Sequence, residues 1–261
     1  MIKVNVKEYS FFKKEFYEEI KLYPIINSVI SGLQKGYVYT NEERQILIVI
    51  SKSGFTLISF KHSGLNQEEK IFNFFYNCKE IPNYLHIYNP IKFILNYVKE
   101  NYTQYKLRER IQYIYNKKNC VFDKTKLPLG YKIKVIQDIS KDKLNALELN
   151  LFSRYWDSRE SFFNHSIGVC IIDEKENIAA ICYSAAHIDQ VAEMDTLVLE
   201  NYRGKGLMRL VSEPFFNLAS SVKSDVHWDT FIENKPSFIL GEKFKPNFKN
   251  RYTLMSVFFN K

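Results

Sequence analysis

The chain has 261 residues, 46% of them hydrophobic, which excludes a disordered protein and allows one large core or two cores of ordinary size. Its net charge is +8, and Lys and Arg outnumber Asp and Glu by 20 to 12 over residues 1–126, whereas each kind numbers 17 over residues 127–261. The excess lysines are scattered, which favours a solvated surface over a nucleic-acid site.

Membrane and metal signals are not found in the sequence. No apolar run approaches the roughly 20 residues that cross a bilayer, and the first residues lack the hydrophobic region of a signal peptide. The four cysteines, Cys78, Cys120, Cys170 and Cys182, form no Cys-x-x-Cys pair, and no histidine stands at metal-ligand spacing from them. We therefore expect a cytoplasmic location, no metal site and no membrane partner.

Apolar periodicity over the first half predicts helices, then a hairpin, and then alternating helices and strands. The predicted helices cover residues 9–20, 25–33, 67–78 and 90–102, and the predicted strands cover residues 37–40, 46–51, 55–60, 84–88 and 110–115. Residues 61–66, between the third strand and its helix, contain one glycine and no arginine, so no phosphate-binding turn is predicted there.

Residues 119–130 carry charged and turn-forming residues with little periodicity. They predict a linker between a domain over residues 1–118 and a domain over residues 131–261, in which the order of elements repeats. The predicted strands of the second domain cover residues 131–137, 167–172, 178–185, 191–199, 225–231 and 252–259. Its predicted helices cover residues 140–150 with Ser140 as the cap, 151–163, the stretch from a glycine turn to about residue 220, and 236–244.

The glycine turn reads Tyr202-Arg203-Gly204-Lys205-Gly206-Leu207-Met208. The first N–H groups of a helix have no partner within it and lie at the positive end of its dipole, which suits phosphate. Gly204 and Gly206 remove side chains that would keep a ligand off the backbone, and Arg203 and Lys205 add positive charge. The motif predicts an anion-binding turn, although an ordinary strand-to-helix turn would read the same way.

Together with Asn234-x-x-Ser237-x-x-Leu240-x-Glu242-Lys243-Phe244 in the next helix, this turn resembles the acetyl-CoA site of the GNAT superfamily of N-acetyltransferases. The Glu193-Met194-Asp195 strand and Trp228-Asp229 further resemble a bacterial GNAT subfamily with an extra N-terminal domain. The resemblance covers residues 127–261 and implies an α/β (α+β) fold with a mixed, splayed central sheet flanked by helices. The first domain is interpreted as a smaller α/β domain and a degenerate GNAT-like copy; a helical cap or an unrelated α/β domain would give the same order of elements.

The resemblance implies that backbone amides from Gly204 to Met208 hold the CoA pyrophosphate, and that main-chain groups of residues 197–199 pair with pantetheine as an added strand. Asn234 would steady the pantetheine from the other side, and Ser237 would do likewise or serve in capping or packing. The predicted cofactor-binding residues are Leu197, Val198, Leu199, Arg203, Gly204, Lys205, Gly206, Leu207, Met208, Asn234 and Ser237. Two positions depart from the family: Met208 stands where Gly or Ala is usual, and Gly241 stands where many members have the tyrosine that reprotonates the leaving thiolate.

An amine must be neutral to attack a thioester, and a nearby carboxylate can accept its proton. Glu193 and Asp195 share one face of their strand by two-residue spacing, so either is a candidate base; alternatively, one of them binds a cationic substrate or a basic neighbour. His227 on the next strand is the third candidate base; the alternative is that it only packs in the sheet. Tyr183 and Tyr202 are candidate acids.

These residues predict an acetyl-CoA-dependent N-acetyltransferase that moves an acetyl group to an amine by direct attack in a ternary complex. A monomer or homodimer is expected, and nucleic acid is not expected as a partner. Two alternatives stay open: a non-catalytic CoA-binding regulatory module, favoured by Met208 and Gly241, and a tRNA-dependent aminoacyl transferase of tandem-GNAT type, favoured by the basic first half. The acceptor class stays open among small amines, antibiotics, amino acids and protein N-termini.

Overall fold

A computed structural model describes residues 1–62, 67–119, 122, 126–146 and 154–260. The chain divides into two compact units, one of residues 1–110 and 251–261 and the other of residues 111–250. The sequence predicted domains of residues 1–118 and 131–261, whereas this division gives residues 111–118 to the second unit and residues 251–261 to the first.

The helices and strands are named in chain order. From the first residue to residue 115 they are β1 (Ile2–Lys3), α1 (Tyr9–Glu15), α2 (Tyr17–Ile20), α3 (Pro24–Ile30), β2 (Gly36–Thr40), β3 (Ile46–Ser51), β4 (Phe55–Phe60), α4 (Glu68–Asn77), β5 (Tyr84–Tyr88), α5 (Lys92–Asn101) and β6 (Tyr105–Tyr115). Beyond them are β7 (Lys132–Val135), α6 (Lys141–Ala146), α7 (Arg159–His165), β8 (Gly168–Ile172), β9 (Ile178–Ile188), β10 (Val191–Val198), α8 (Leu207–Ser221), β11 (Asp225–Phe231), α9 (Lys235–Lys243) and β12 (Phe248–Phe258). None of the helices in the described ranges has the length and apolar character that a membrane span requires.

Most predicted elements are present, although several of their limits differ. The helix predicted over residues 9–20 is interrupted at Phe16, and the strand predicted from residue 110 already begins at Tyr105. The helix predicted over residues 151–163 lies partly outside the described residues; α7 begins instead after Ser158, whose hydroxyl accepts the Ser161 N–H at 3.0 Å as an N-cap. Residues 147–150 of the helix predicted after Ser140 also lie outside the described residues.

The sheet of the first unit has the strand order β1-β2-β3-β4-β5-β12. Neighbouring strands pair antiparallel except β4 and β5, which are parallel and connected through α4. Alternate residues of β3 pack into a core with α4 and α5, and the others face the opposite side of the sheet, where α3 packs. Burial on both sides explains the unbroken apolar run of β3.

The second unit has the strand order β6-β11-β10-β9-β8-β7. Its strands from β7 to β10 pair antiparallel, and β10 and β11 are parallel and connected through α8. Helix α8 packs on β8, β9, β10 and β11 and supplies Leu207, Val211 and Phe215 to the core. Both units therefore contain one parallel pair formed by a strand, a helix and the next strand.

Each parallel pair separates along its length. The β4–β5 ladder holds only Phe55 with His86 and Thr56 with Ile87, although β4 continues to Phe60. The β10–β11 ladder ends where Glu193 pairs with His227, although β10 continues to Val198. Each unit thus has a splayed sheet with an opened strand edge.

Candidate functional site

The turn after β10 has a backbone that glycine favours. Gly204 has φ 78° and Gly206 has φ 71°, and Gly206 is the left-handed N-cap of α8. A Cβ atom added at either glycine would meet no atom of the described residues within 4 Å, so the space beside this backbone is open. The first turn of α8, which the structure describes completely, contains no acidic residue, and the positive end of the helix dipole is therefore not neutralised.

Side chains around the turn divide between solvent and core. Arg203 and Lys205 are exposed, as are both glycines. Leu207 is fully buried, and the partly buried Met208 side chain packs against the same core cluster. The Met208 side chain is therefore held by the core, while its backbone belongs to the first turn of the helix.

Lys205 lies against two aromatic rings that hold the turn. Its Nζ is 3.3 Å from the Tyr131 hydroxyl and 5.3 Å from the centroid of the Tyr202 ring. The Tyr202 hydroxyl in turn donates to Asp173 Oδ2 at 2.8 Å. Desolvation opposes ionisation of Asp173, but hydrogen bonds from the Asn177 backbone and side chain and from Tyr202 outweigh it and lower the pKa of Asp173 to about 2. Asp173 is thus a permanent anion at neutral pH that fixes Tyr202.

The opened edge of β10 is formed by alternate residues. The Leu199 N–H donates to Ala179 O at 3.0 Å, and an antiparallel ladder alternates between bonded and non-bonded pairs. Leu197 and Leu199 therefore direct their amides to β9, and Thr196 and Val198 direct their backbone groups to the opened edge. The prediction that residues 197–199 pair with pantetheine stays a prediction; of these three, only Val198 has edge-facing groups, and Thr196, which the sequence did not single out, has them too.

Asn234 and Ser237 lie at the start of α9 but differ in exposure. Asn234 is the exposed N-cap residue, and its side chain makes no capping hydrogen bond. Its amide is therefore available to a ligand. Ser237 is only 4% exposed, which favours the packing role that the sequence left open for it.

The three candidate catalytic residues share one face of the sheet. Ala192 and Met194 belong to the core cluster under α8, so Glu193 and Asp195 lie on the other face of β10. Trp228 of β11 also belongs to that cluster, which puts His227 on the same face as Glu193. Glu193 and His227, each 6% exposed, are opposite each other at the last pair before the strands separate.

Asp195 has one hydrogen-bond donor and one ion-pair partner. The Tyr183 hydroxyl donates to its Oδ2 at 2.8 Å, and Arg154 Nη1 lies 3.9 Å from the same oxygen. Burial raises the pKa of Tyr183 well above its ordinary range, so this hydroxyl stays protonated and donating. The sequence left two interpretations for each carboxylate, a catalytic base or a partner of a basic residue. Asp195 fits the second.

Comparison with known proteins decides the family. A family model described as GNAT acetyltransferase matches residues 14–255. The chain belongs to the GNAT acetyltransferase family. The chain is also 28% identical over 134 residues to an uncharacterised N-acetyltransferase, YdfB, of Bacillus subtilis; the match covers 51% of each protein, so the chain spans about half the length of this curated relative.

Solved GNAT structures share the fold over almost the whole chain. A GCN5-related N-acetyltransferase-like protein from Streptococcus suis matches with a TM-score of 0.67 at 18% identity, over 94% of this chain and 98% of that one. A tandem GNAT protein from the clavulanic acid biosynthesis pathway matches with a TM-score of 0.60 at 9% identity, over 98% of this chain and 97% of that one. The predicted family and the α/β fold with its mixed, splayed sheet are confirmed, and the family supports acyl transfer in general.

The GNAT position that lacks its tyrosine has a packing explanation. A Cβ atom on Gly241 would lie 2.3 Å from Cε2 of Tyr113, which is fully buried and donates its hydroxyl to Phe238 O at 3.2 Å and to Glu242 Oε1 at 3.0 Å. The Tyr115 hydroxyl donates to Gly241 O at 2.8 Å. Two tyrosines of β6 therefore occupy the side of α9 at which a side chain on residue 241 would begin.

One candidate acid, Tyr202, and two other ring side chains of this GNAT protein, His187 and Trp228, have structural partners. The Tyr202 hydroxyl is bonded to Asp173, which raises the pKa of Tyr202. His187 lies with Nε2 2.8 Å from Ser224 Oγ, and burial lowers its pKa. Trp228 packs with Phe244 in the core, with ring centroids 6.1 Å apart. The sequence missed Arg154 and Asp173, because nothing in its pattern joins either residue to a partner on another element.

Proposed function

We propose that this protein is an acetyl-CoA-dependent N-acetyltransferase that acts by direct attack of an amine on the thioester in a ternary complex. One observation carries the proposal: an open glycine turn with left-handed Gly204 and Gly206 starts α8, directly after a parallel strand pair that separates at Glu193 and His227. The turn suits a pyrophosphate, and the opened edge suits an extended chain with amide groups.

The residues present fit CoA. The amides from Gly204 to Met208 would hold the pyrophosphate, and Arg203 and Lys205 would add positive charge. Backbone groups of Thr196 and Val198 would pair with the pantetheine arm, and Asn234 would donate from the start of α9. When bound, acetyl-CoA supplies a thioester carbonyl carbon for the attack.

Glu193 is the proposed base. It is buried at the point where β10 and β11 separate, and a carboxylate there would accept the proton of the amine as the C–N bond forms and the C–S bond breaks. Asp195, held by Tyr183 and Arg154, would orient a cationic acceptor, and His227 would flank it. With Gly241 in the family's tyrosine position, the departing thiolate takes its proton from water.

Thiol release from acetyl-CoA, measured with a panel of amines beside longer acyl-CoAs, tests this proposal. We expect Glu193→Gln to lower kcat by about 100-fold with an acetyl-CoA Kd within about twofold of wild type. The matched control is Glu200→Gln, the same chemical change at an exposed residue before the turn. An unchanged rate would move the base to Asp195 or His227.

Two results would favour the alternatives. Acetyl-CoA binding without thiol release from any amine would favour a non-catalytic module. RNA binding with a steep dependence on salt, together with little affinity for acetyl-CoA, would favour a tRNA-dependent aminoacyl transferase.

A further inference from the structure

The first unit contains a cavity where β4 and β5 separate. Its volume is about 430 Å³, which is in the range of small-molecule sites. Residues 57–60 of β4 form one wall, and Tyr88 and the residues that follow β5 form another. Tyr23, at the start of α3, closes a third side, and its ring stacks on Tyr88 with centroids 4.2 Å apart.

The lining of this cavity is mainly aromatic and aliphatic. Phe60 and Phe93 meet edge to face with centroids 5.0 Å apart, and Leu57 and Ile58 are buried. The Lys61 N–H donates to Gln45 O at 2.9 Å, so by alternation the backbone groups of Ile58 and Phe60 face the opening. The cavity therefore offers ring faces for an apolar body and backbone carbonyls for a donor.

The charges in and near the cavity disfavour phosphate. Helix α4, which follows β4, begins with Glu68 and Glu69, and two carboxylates in the first turn neutralise the positive end of a helix dipole. Glu19 is the one charged residue that lines the cavity within the described part of the chain. Among the described residues that line the cavity, a ligand meets one carboxylate and no basic side chain.

Glu19 is exposed at the rim, and two of the three basic residues next to lining residues in the chain are engaged elsewhere; the third, Lys92, is exposed between Ile91 and Phe93. Lys21 forms an ion pair with Glu18, and Lys61 forms one with Glu15. The carboxylate of Glu19 is thereby left to face a cation from solvent. A cation is also attracted to the faces of tyrosine and phenylalanine rings.

We propose that this cavity binds a primary amine with an alkyl or aryl body. The body lies among Tyr23, Leu57, Phe60 and Tyr88, and the ammonium group lies at the rim beside Glu19. This site is separate from the acetyl-CoA residues, and it does not depend on the proposed catalytic role of Glu193.

Titration calorimetry of the full chain with octylamine, octanol and octanoate tests the site, because the three share one alkyl body and differ in charge. We expect octylamine to bind about threefold more tightly than octanol and about tenfold more tightly than octanoate. Glu19→Gln should lower the affinity for octylamine about threefold and leave octanol unchanged. Glu18→Gln, the matched control one residue away, should bind all three as wild type does.

Two further measurements locate the site. Ser59→Phe fills the cavity and should weaken octylamine at least tenfold while acetyl-CoA still binds. Since a filled core can fail to fold, a diazirine-bearing alkylamine should also label wild-type peptides within residues 53–61 or 88–93. Three outcomes would overturn the proposal. One is equal affinity for octanoate and octylamine, and another is an octylamine affinity that is unchanged in both Glu19→Gln and a folded Ser59→Phe. The third is label found only within residues 111–250.

Discussion

The segments after β4 and after β10 follow corresponding strands of the two units and lead into helices whose first turns differ in charge. After β10, two glycines with positive φ lead into a helix whose first turn has no carboxylate. After β4, the helix starts with Glu68 and Glu69. Because both parallel pairs separate, the splay does not require the glycine turn. We expect anion binding to depend instead on the turn and on the first residues of the helix, so a splayed sheet by itself does not indicate a CoA site.

The largest expected effect comes from making the second unit's turn acidic. Gly206→Glu puts a carboxylate and a strained left-handed residue at the proposed pyrophosphate position, and we expect acetyl-CoA affinity to fall more than about 100-fold by calorimetry. Gly32→Glu is the matched control, because Gly32 also has a positive φ of 73° and open space around its Cα. Equal affinities in the two variants would show that the turn does not hold the pyrophosphate.

The next largest expected effect is a loss of stability in a variant of α9, the helix in which Gly241 stands at the family's tyrosine position. Gly241→Ala should destabilise the protein by about 1–3 kcal/mol, because the new Cβ would overlap the Tyr113 ring. Thermal unfolding followed by circular dichroism measures this. Ile239→Ala, at an exposed position of the same helix, should change the midpoint little. A Gly241→Ala midpoint equal to that of wild type would mean that Tyr113 moves freely.

A smaller effect should follow from adding an acidic residue to the first turn of α8, as in the first turn of α4. Arg209→Glu adds a carboxylate to the first turn of α8, beside Glu213, and should weaken acetyl-CoA about fivefold. Lys175→Glu, the same change of charge on an exposed hairpin, serves as the control. The reverse change in the first unit, Glu69→Arg, should not add a second acetyl-CoA per chain, since residues 61–66 contain a single glycine. A stoichiometry of two would refute the argument that glycines are needed.

The smallest expected effect comes from removing the hydrogen bond between Tyr202, next to the glycine turn, and Asp173. Tyr202→Phe removes the hydrogen bond to Asp173 and should weaken acetyl-CoA about twofold. Asp173 has a folded pKa of about 2, below its ordinary value of 3.8, so its contribution to stability is full above about pH 4 and is lost as the pH falls toward 2. In Tyr202→Phe the pKa of Asp173 should rise, and the stability lost between pH 4 and pH 2 should be smaller than in wild type. Melting curves between pH 2 and pH 5 measure it; identical pH profiles would contradict the assigned bond.

Strand limits could be predicted where an apolar run ends at turn residues. β3, β4 and β11 begin and end at the predicted residues, and the hairpin turn over residues 52–54 lies between the first two. The glycine turn was predictable because glycine is the residue that most readily adopts the positive φ found at Gly204 and Gly206.

Pairing between elements could not be predicted in the same way. The register shifts between Glu193 and Met194, so neither the Tyr183–Asp195 pair nor the edge-facing role of Thr196 follows from spacing along β10. The contact of Tyr113 with Gly241 joins residues far apart in the chain, and a single sequence has no signal for it.

The last strand of the first unit has a consequence for how the protein is made. Met255, Val257 and Phe259 belong to that unit's core, and β12 pairs with β5 there. This core cannot close until residue 259 has left the ribosome, which gives the unit a high contact order and a slow final step. A fragment that stops at residue 118 would leave the edge of β5 and its apolar neighbours uncovered. We expect such a fragment to depend on chaperones or to aggregate.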